Sequence, residues 1–180
     1  MLYLRLILSV LCLISSTFAA AKMIELKKNT QSIFIQDKAS WTLGKDLFGM
    51  PFIYFAPQLN GQRSNISFTH TGAELELDLK SITKSQDVYR DNKKKWGEQV
   101  GAKIDGFLEL ESFKNTHGHK IYKIGVDYTH ENESYSERSY YIECRGKILF
   151  SKSLRLKQNI EHEKDFSDLI QGLDCAQYFV

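Results

Sequence analysis

The sequence predicts an α+β fold: an antiparallel β-sheet of about six or more strands with two helices packed on it. Three observations predict it. Short stretches such as Phe107–Phe113 and Ile121–Thr129 alternate apolar and polar residues, the pattern of half-buried strands. Polar turns separate these stretches at regular intervals, which favours antiparallel neighbours. Two other segments space their apolar residues for helices: Ile82, Tyr89, Trp96 and Val100 in one, and Phe166, Leu169, Ile170 and Leu173 in the other.

Taken in order, the first part of the chain is extended, with a strand at Ser32–Ile35. A turn-like stretch around Trp41 ends at Gly44. Phe48–Ala56 is strongly apolar, with Pro51 near its start and Pro57 closing it, as strand prolines tend to sit. Asn60-Gly61 marks a turn. Ile66 and Phe68, then Leu75, Leu77 and Leu79, alternate with polar neighbours and read as strands. Ser81 is placed to cap a helix running to Val100, with Val88 widening its apolar stripe, Gly97 weakening its last turn and Gly101 as its stop. Four strands follow: Phe107–Phe113, Ile121–Thr129, Tyr135–Cys144 and Lys147–Leu156. Asn115–His119, His130–Glu133 and Arg145-Gly146 lie between them, and a helix at Glu161–Leu173 closes the series.

The composition sets limits on function. The chain has 180 residues, 42% hydrophobic and 26% charged, enough to build a core. Its formal charge of +2 is too balanced to mark nucleic acid or an anionic membrane as the partner. The first 21 residues read as a secretory signal peptide: Arg5, an apolar run Leu6–Ile14, and small residues Ala19-Ala20-Ala21. Leu11 before Cys12 is too bulky for a lipoprotein box. Cleavage after Ala21 leaves one domain over residues 22–180, in the periplasm or outside the cell, with no stable membrane span. It also leaves two cysteines, Cys144 and Cys175. In an oxidising compartment a disulfide between them is the expected state, worth roughly 3–4 kcal/mol for its loop length.

Candidate chemistry is sparse. His117 and His119 are weak metal-ligand candidates, with His130 or a carboxylate as third ligand, but NTHGH also reads as a hairpin tip. No G-x-S-x-G elbow, H-E-x-x-H run or phosphate-cradling glycine loop occurs. Acid pairs such as Glu109/Glu111 alternate with leucines as a solvated sheet face does. Tyr135, Arg138, Tyr140 and Tyr141 are the candidate interface residues, because Tyr and Arg supply large contact area and are enriched at hot spots.

Several segments carry a resemblance. They are Trp41 followed by FGMPFIYFAP, SNISF, the helix around VYRDNKKKWGEQV, the strands of YYIECRGKILFSKSL, and the ending EKDFSDLIQGL. In this order the chain resembles the PsbP-like fold, which is shared by photosystem II extrinsic proteins, Mog-type Ran-binding proteins and bacterial exported lipoproteins. The resemblance covers nearly the whole mature chain and implies an α/β/α sandwich. It also implies accessory or binding work, and it carries over no catalytic residue. The cysteine pair is not a mark of that family.

The expected function is therefore a non-catalytic exported module that contacts a protein or envelope component and needs no cofactor. The alternative is a carrier of small apolar ligands, with a pocket between helix 81–100 and the sheet lined by Tyr89 and Trp96. A metal-dependent hydrolase built on His117 and His119 ranks third.

Overall fold

The computed structural model describes residues 22–28, 31–70 and 79–175. The signal segment and the Leu75 and Leu77 alternation lie outside the described residues. Among the described residues the chain forms ten strands and two helices. The strands are β1 (Met23–Lys28), β2 (Gln31–Gln36), β3 (Thr42–Leu47), β4 (Met50–Leu59), β5 (Gln62–His70), β6 (Lys103–Lys114), β7 (Lys120–His130), β8 (Glu133–Cys144), β9 (Lys147–Leu156) and β10 (Asp174–Cys175). The helices are α1 (Leu79–Val100) and α2 (Ile160–Gln171). This is the α+β architecture the alternation predicts.

Seven strands form one antiparallel sheet in the order β3-β4-β5-β9-β8-β7-β6. It consists of two meanders, β3–β5 and β6–β9, joined where β5 pairs with β9. A small sheet, β1-β2-β10, stands apart. Four of the connections are two-residue hairpin turns with both turn residues at positive φ: Phe48-Gly49, Asn60-Gly61, Glu131-Asn132 and Arg145-Gly146. Positive φ at both positions is the type I′ signature, whose twist matches that of the strands it joins.

Adjacent residues on a strand face opposite ways, so both faces of this sheet need cover. On one face Tyr140, Ile142, Leu149, Phe68, Phe52 and Tyr54 form the main core with α2 and with Leu26, Ile33 and Ile35 of the small sheet. On the other face Tyr122, Ile148 and Tyr141 pack with Ile82 of α1. Each large side chain so buried contributes about 1.5–3 kcal/mol. Trp41 is the seam of the main core. Its ring lies 5.1 Å from Tyr54, 5.5 Å from Phe166 and 6.1 Å from His162.

Several local expectations are corrected. Thr42–Leu47 is an edge strand and not a turn; its ladder with β4 supplies what its weak alternation lacks. Pro57 does not close its strand. It sits in an irregularity between Phe55 and Gln58, and β4 runs on to Leu59. Leu79 belongs to the first turn of α1, so Ser81 lies inside the helix. Val88 does not widen the buried stripe: it is 56% exposed. Gly97 is a close approach, because a Cβ there would meet the Ala102 carbonyl oxygen at 2.8 Å. The last helix ends at Gln171, and the residues after it turn into β10, which pairs with β2.

Two devices hold that C-terminal segment. Cys175 is disulfide-bonded to Cys144 of β8. Asn115, buried in the turn after β6, donates from Nδ2 to the carbonyls of Ile170 (3.3 Å) and Leu173 (2.7 Å). These are carbonyls at the end of α2, where helix acceptors otherwise lack partners. Replacing both cysteines by serine is expected to lower unfolding stability by roughly 3–4 kcal/mol in urea titrations. The loss should coincide with faster amide exchange in β10.

Candidate functional site

Strand β8 carries the four residues singled out for an interface, and its alternation divides them into two pairs. Tyr135 and Tyr141 face α1, whereas Arg138 and Tyr140 face the α2 side. Tyr135 is half-buried and stacked on Tyr128 at 5.2 Å. Tyr141 is half-buried against Phe150 at 5.3 Å. Tyr140 is only 5% exposed, and burial pushes its hydroxyl pKa up to about 12. Arg138 lies flat across β7 and donates to Asp127 Oδ1 at 2.8 Å. Gly125 makes that course possible, since a Cβ there would meet the Arg138 chain at 2.7 Å. Burial raises the Asp127 carboxyl, but hydrogen bonds from Arg138 and Lys157 outweigh it and hold the group below its ordinary pKa.

The seam between α1 and the sheet opens into a groove of about 390 Å³ lined by Lys84, Ser85, Val88, Tyr89, Asn92 and Tyr141. Tyr89 lines it, as the carrier reading expects. Trp96 does not: it packs edge-on against Tyr128 at 5.0 Å, with the Lys93 ammonium 4.7 Å from its ring. Behind the groove lies Glu137, a carboxylate only 5% exposed. It accepts from Lys93 Nζ at 2.8 Å and from the Tyr89 hydroxyl at 3.2 Å, with Lys152 Nζ at 3.8 Å. Burial first, and then the Glu137 charge, push the Tyr89 pKa upward, so its hydroxyl stays protonated and serves as a donor.

A second cavity, of about 250 Å³, opens on the other face between the sheet and α2. Tyr140, Phe113 and Ile170 supply its apolar wall, and Lys123, Glu163 and Gln171 its polar one. Lys123 is paired with Glu111 at 3.1 Å, and Glu163 is paired with Arg155.

His117 and His119 both turn to Asp174 of β10. His119 Nε2 lies 3.0 Å from Oδ1, and His117 Nδ1 lies 3.8 Å from Oδ2. Asn115 Oδ1 sets this loop by accepting the backbone N–H groups of both histidines. Burial raises the Asp174 pKa, but hydrogen bonds from His119 and the Cys175 N–H, with the charge of both imidazoles, bring it below its ordinary value. Of the expected third ligands, a carboxylate, Asp174, does face the pair, whereas His130 is not brought to it. His130 closes the opposite end of β7, its Nε2 3.1 Å from the Val100 carbonyl oxygen. Among the described residues no group of three His, Cys, Asp or Glu side chains is arranged to hold a metal ion.

With this geometry in view, the chain can be set beside known proteins. No protein-family model and no curated protein matches the sequence. Solved structures do match. The solution structure of cyanobacterial PsbP (CyanoP) from Synechocystis superposes with a TM-score of 0.57, covering 89% of this chain and 96% of that one at 9% identity. LpqN, involved in cell envelope biogenesis of Mycobacterium tuberculosis, superposes with a TM-score of 0.57, covering 88% and 92% at 10% identity. The fold is PsbP-like. At such low identity the PsbP-like likeness speaks for the backbone alone.

Within this PsbP-like frame, sequence reasoning missed Glu137. A signal for it existed: Glu137 is the charged residue in mid-stripe, between Tyr135 and Ser139-x-Tyr141, whereas Glu133 and Glu143 of the same stripe lie at the strand's ends. Asn115 gave no such signal, because turn asparagines are ordinary. Substituting Glu137→Ala should strand Lys93 in a largely buried setting and lower stability by roughly 2–4 kcal/mol in urea unfolding. The double change Glu137→Met with Lys93→Met should restore a good part of that loss, since the charge it leaves unpaired is the partly exposed Lys152 alone.

Proposed function

We propose that this chain is an exported, non-catalytic accessory module that works by binding a protein or envelope component. The observation that carries the reading is the PsbP-like fold over almost the whole described chain, shared with LpqN, a protein involved in cell envelope biogenesis. Two further features support it. The Cys144–Cys175 bond belongs to an oxidising compartment, in keeping with the signal pattern of residues 1–21. The chemistry-bearing side chains are also engaged structurally: Glu137 by Lys93 and Tyr89, Asp127 by Arg138, and Asp174 by His119. No described helix is long and apolar enough to cross a membrane. In this reading the contact surface is the α1 side, where Tyr141 and the exposed Val88 meet. Tyr135 lies farther along the same face, and Arg138 and Tyr140 support the sheet from behind.

A second reading is favoured by the groove itself. Val88, Tyr89 and Tyr141 offer apolar area beside the polar atoms of Lys84, Ser85 and Asn92, as a carrier site for a small, largely apolar molecule requires.

One experiment addresses both. Protein purified from the export compartment of its own host is expected to show a denatured mass that begins at Lys22 and is two hydrogens lighter than the dithiol. A chain that keeps residues 1–21 and free thiols would overturn the export reading. Native spectra of the same sample separate the two functions. Extra mass of small-molecule size that disappears on denaturation, and disappears in Val88→Trp, selects the carrier. A bare monomer leaves the accessory module.

A further inference from the structure

The four type I′ turns invite comparison with one another. The first turn position is Asn60, Glu131 and Arg145 in three of them, all polar, as suits a residue held in water at positive φ. In the fourth it is Phe48, at φ 52° and 87% exposed, the most exposed large apolar side chain among the described residues. Leu47 beside it is 41% exposed. A phenylalanine here carries two penalties: a backbone region that favours Gly and Asn, and an aromatic ring in water. No packing against the rest of the chain offsets either one. Strain of this kind at an exposed tip is a mark of function.

The strand register shows what surrounds this tip. Met50, Leu149, Ile142, Ile121 and Phe113 fall in line across the sheet, so everything beyond that row shares one end of the molecule. Beyond it lie Lys114, Lys120, Arg145 and Lys147, while Lys45 sits two residues short of it on β3, opposite Phe52. Lys28 joins them through its 2.7 Å ion pair with Asp46. Against these cations stand Asp46, Glu143 and Asp174. The opposite end mixes signs: Glu131, Glu133 and Glu161 stand there with Lys103 and Lys157, and Glu163 is paired with Arg155. Within a near-neutral total charge, the Phe48 end is thus the more basic end of the sheet among the described residues.

We propose that the Phe48 end of the sheet docks on an anionic phospholipid surface. Phe48 and Leu47 enter the acyl boundary, and the surrounding lysines and Arg145 lie against the headgroups. A convex two-residue turn is shaped as a wedge, and a bilayer deforms around a wedge where a folded partner would need a matching pocket. Basic residues about an apolar tip supply the two signals that stable peripheral binding needs. This proposal rests on the envelope reading above and names the surface that the module meets there.

The test is co-sedimentation of the oxidised mature chain with vesicles of phosphatidylcholine alone or of phosphatidylcholine with phosphatidylglycerol. Binding is expected only to the anionic vesicles and should fall as salt is raised. Phe48→Asn, which suits positive φ, should keep or raise the melting temperature while weakening binding roughly tenfold or more. Lys45→Ser should weaken it about fivefold. Phe48→Trp should retain binding and shift its fluorescence to the blue on anionic vesicles. Absence of binding to anionic vesicles by the parent chain, or equal binding by Phe48→Asn, overturns the proposal. Either result leaves the export and accessory reading standing, because that reading is tested separately by the mature mass.

Discussion

The constraint on which this structure depends is that neighbouring residues of a strand point to opposite sides of the sheet. Tyr140 and Tyr141 illustrate it: one lies in the main core under α2, the other against the groove below α1. A sheet with apolar side chains on both faces cannot leave either in water. The chain meets that demand with two different covers. Helix α1 has 22 residues, about 33 Å of helix, enough to run from the end where β5 finishes to the end where β6 begins. The other face is closed by α2 and the small sheet together. The disulfide and Asn115 matter because they hold that second, composite cover in place.

The two faces also handle charge differently. On the α1 side a carboxylate is buried and compensated on the spot, with Lys93, Lys152 and Tyr89 gathered on Glu137. On the α2 side the charged groups lie nearer the margins: Arg138 and Lys157 on Asp127, and Lys38 on Asp165. Burying Glu137 adds little net stability compared with an apolar residue, but it disfavours any register in which it would lose its partners. A one-residue slip of β8 would move Glu137 to the other face, away from Lys93.

Much of the fold was legible because its signals are local. The strand alternation of Ile121–Thr129, the helical spacing from Ile82 to Val100, and the Asn60-Gly61 and Arg145-Gly146 turns each lie within a few residues of one another. The candidate site was less legible. Tyr135, Arg138, Tyr140 and Tyr141 are neighbours in sequence, yet parity alone sends them to two faces, which the composition of the segment does not weigh. His130 seemed close to His117 and His119 along the chain, but an eleven-residue strand carries it to the other end of the sheet. The Phe48 turn escaped notice because an apolar run reads as a strand interior, and only pairing reveals which residue of the run is the bend.

The sequence by itself determined the local elements, their order, and the placing of just two cysteines, Cys144 and Cys175, after the signal-like segment of residues 1–21. Tertiary structure decided how β5 meets β9, with Ser67 and Lys152 paired 85 residues apart. It also decided that the residues after α2 return as a strand beside β2, that Glu137 is enclosed, and that basic side chains collect around Phe48. The physical reason is range. Periodicity and turn chemistry are set by backbone sterics over one or two turns of chain, whereas burial and charge environment depend on which distant segment covers a surface.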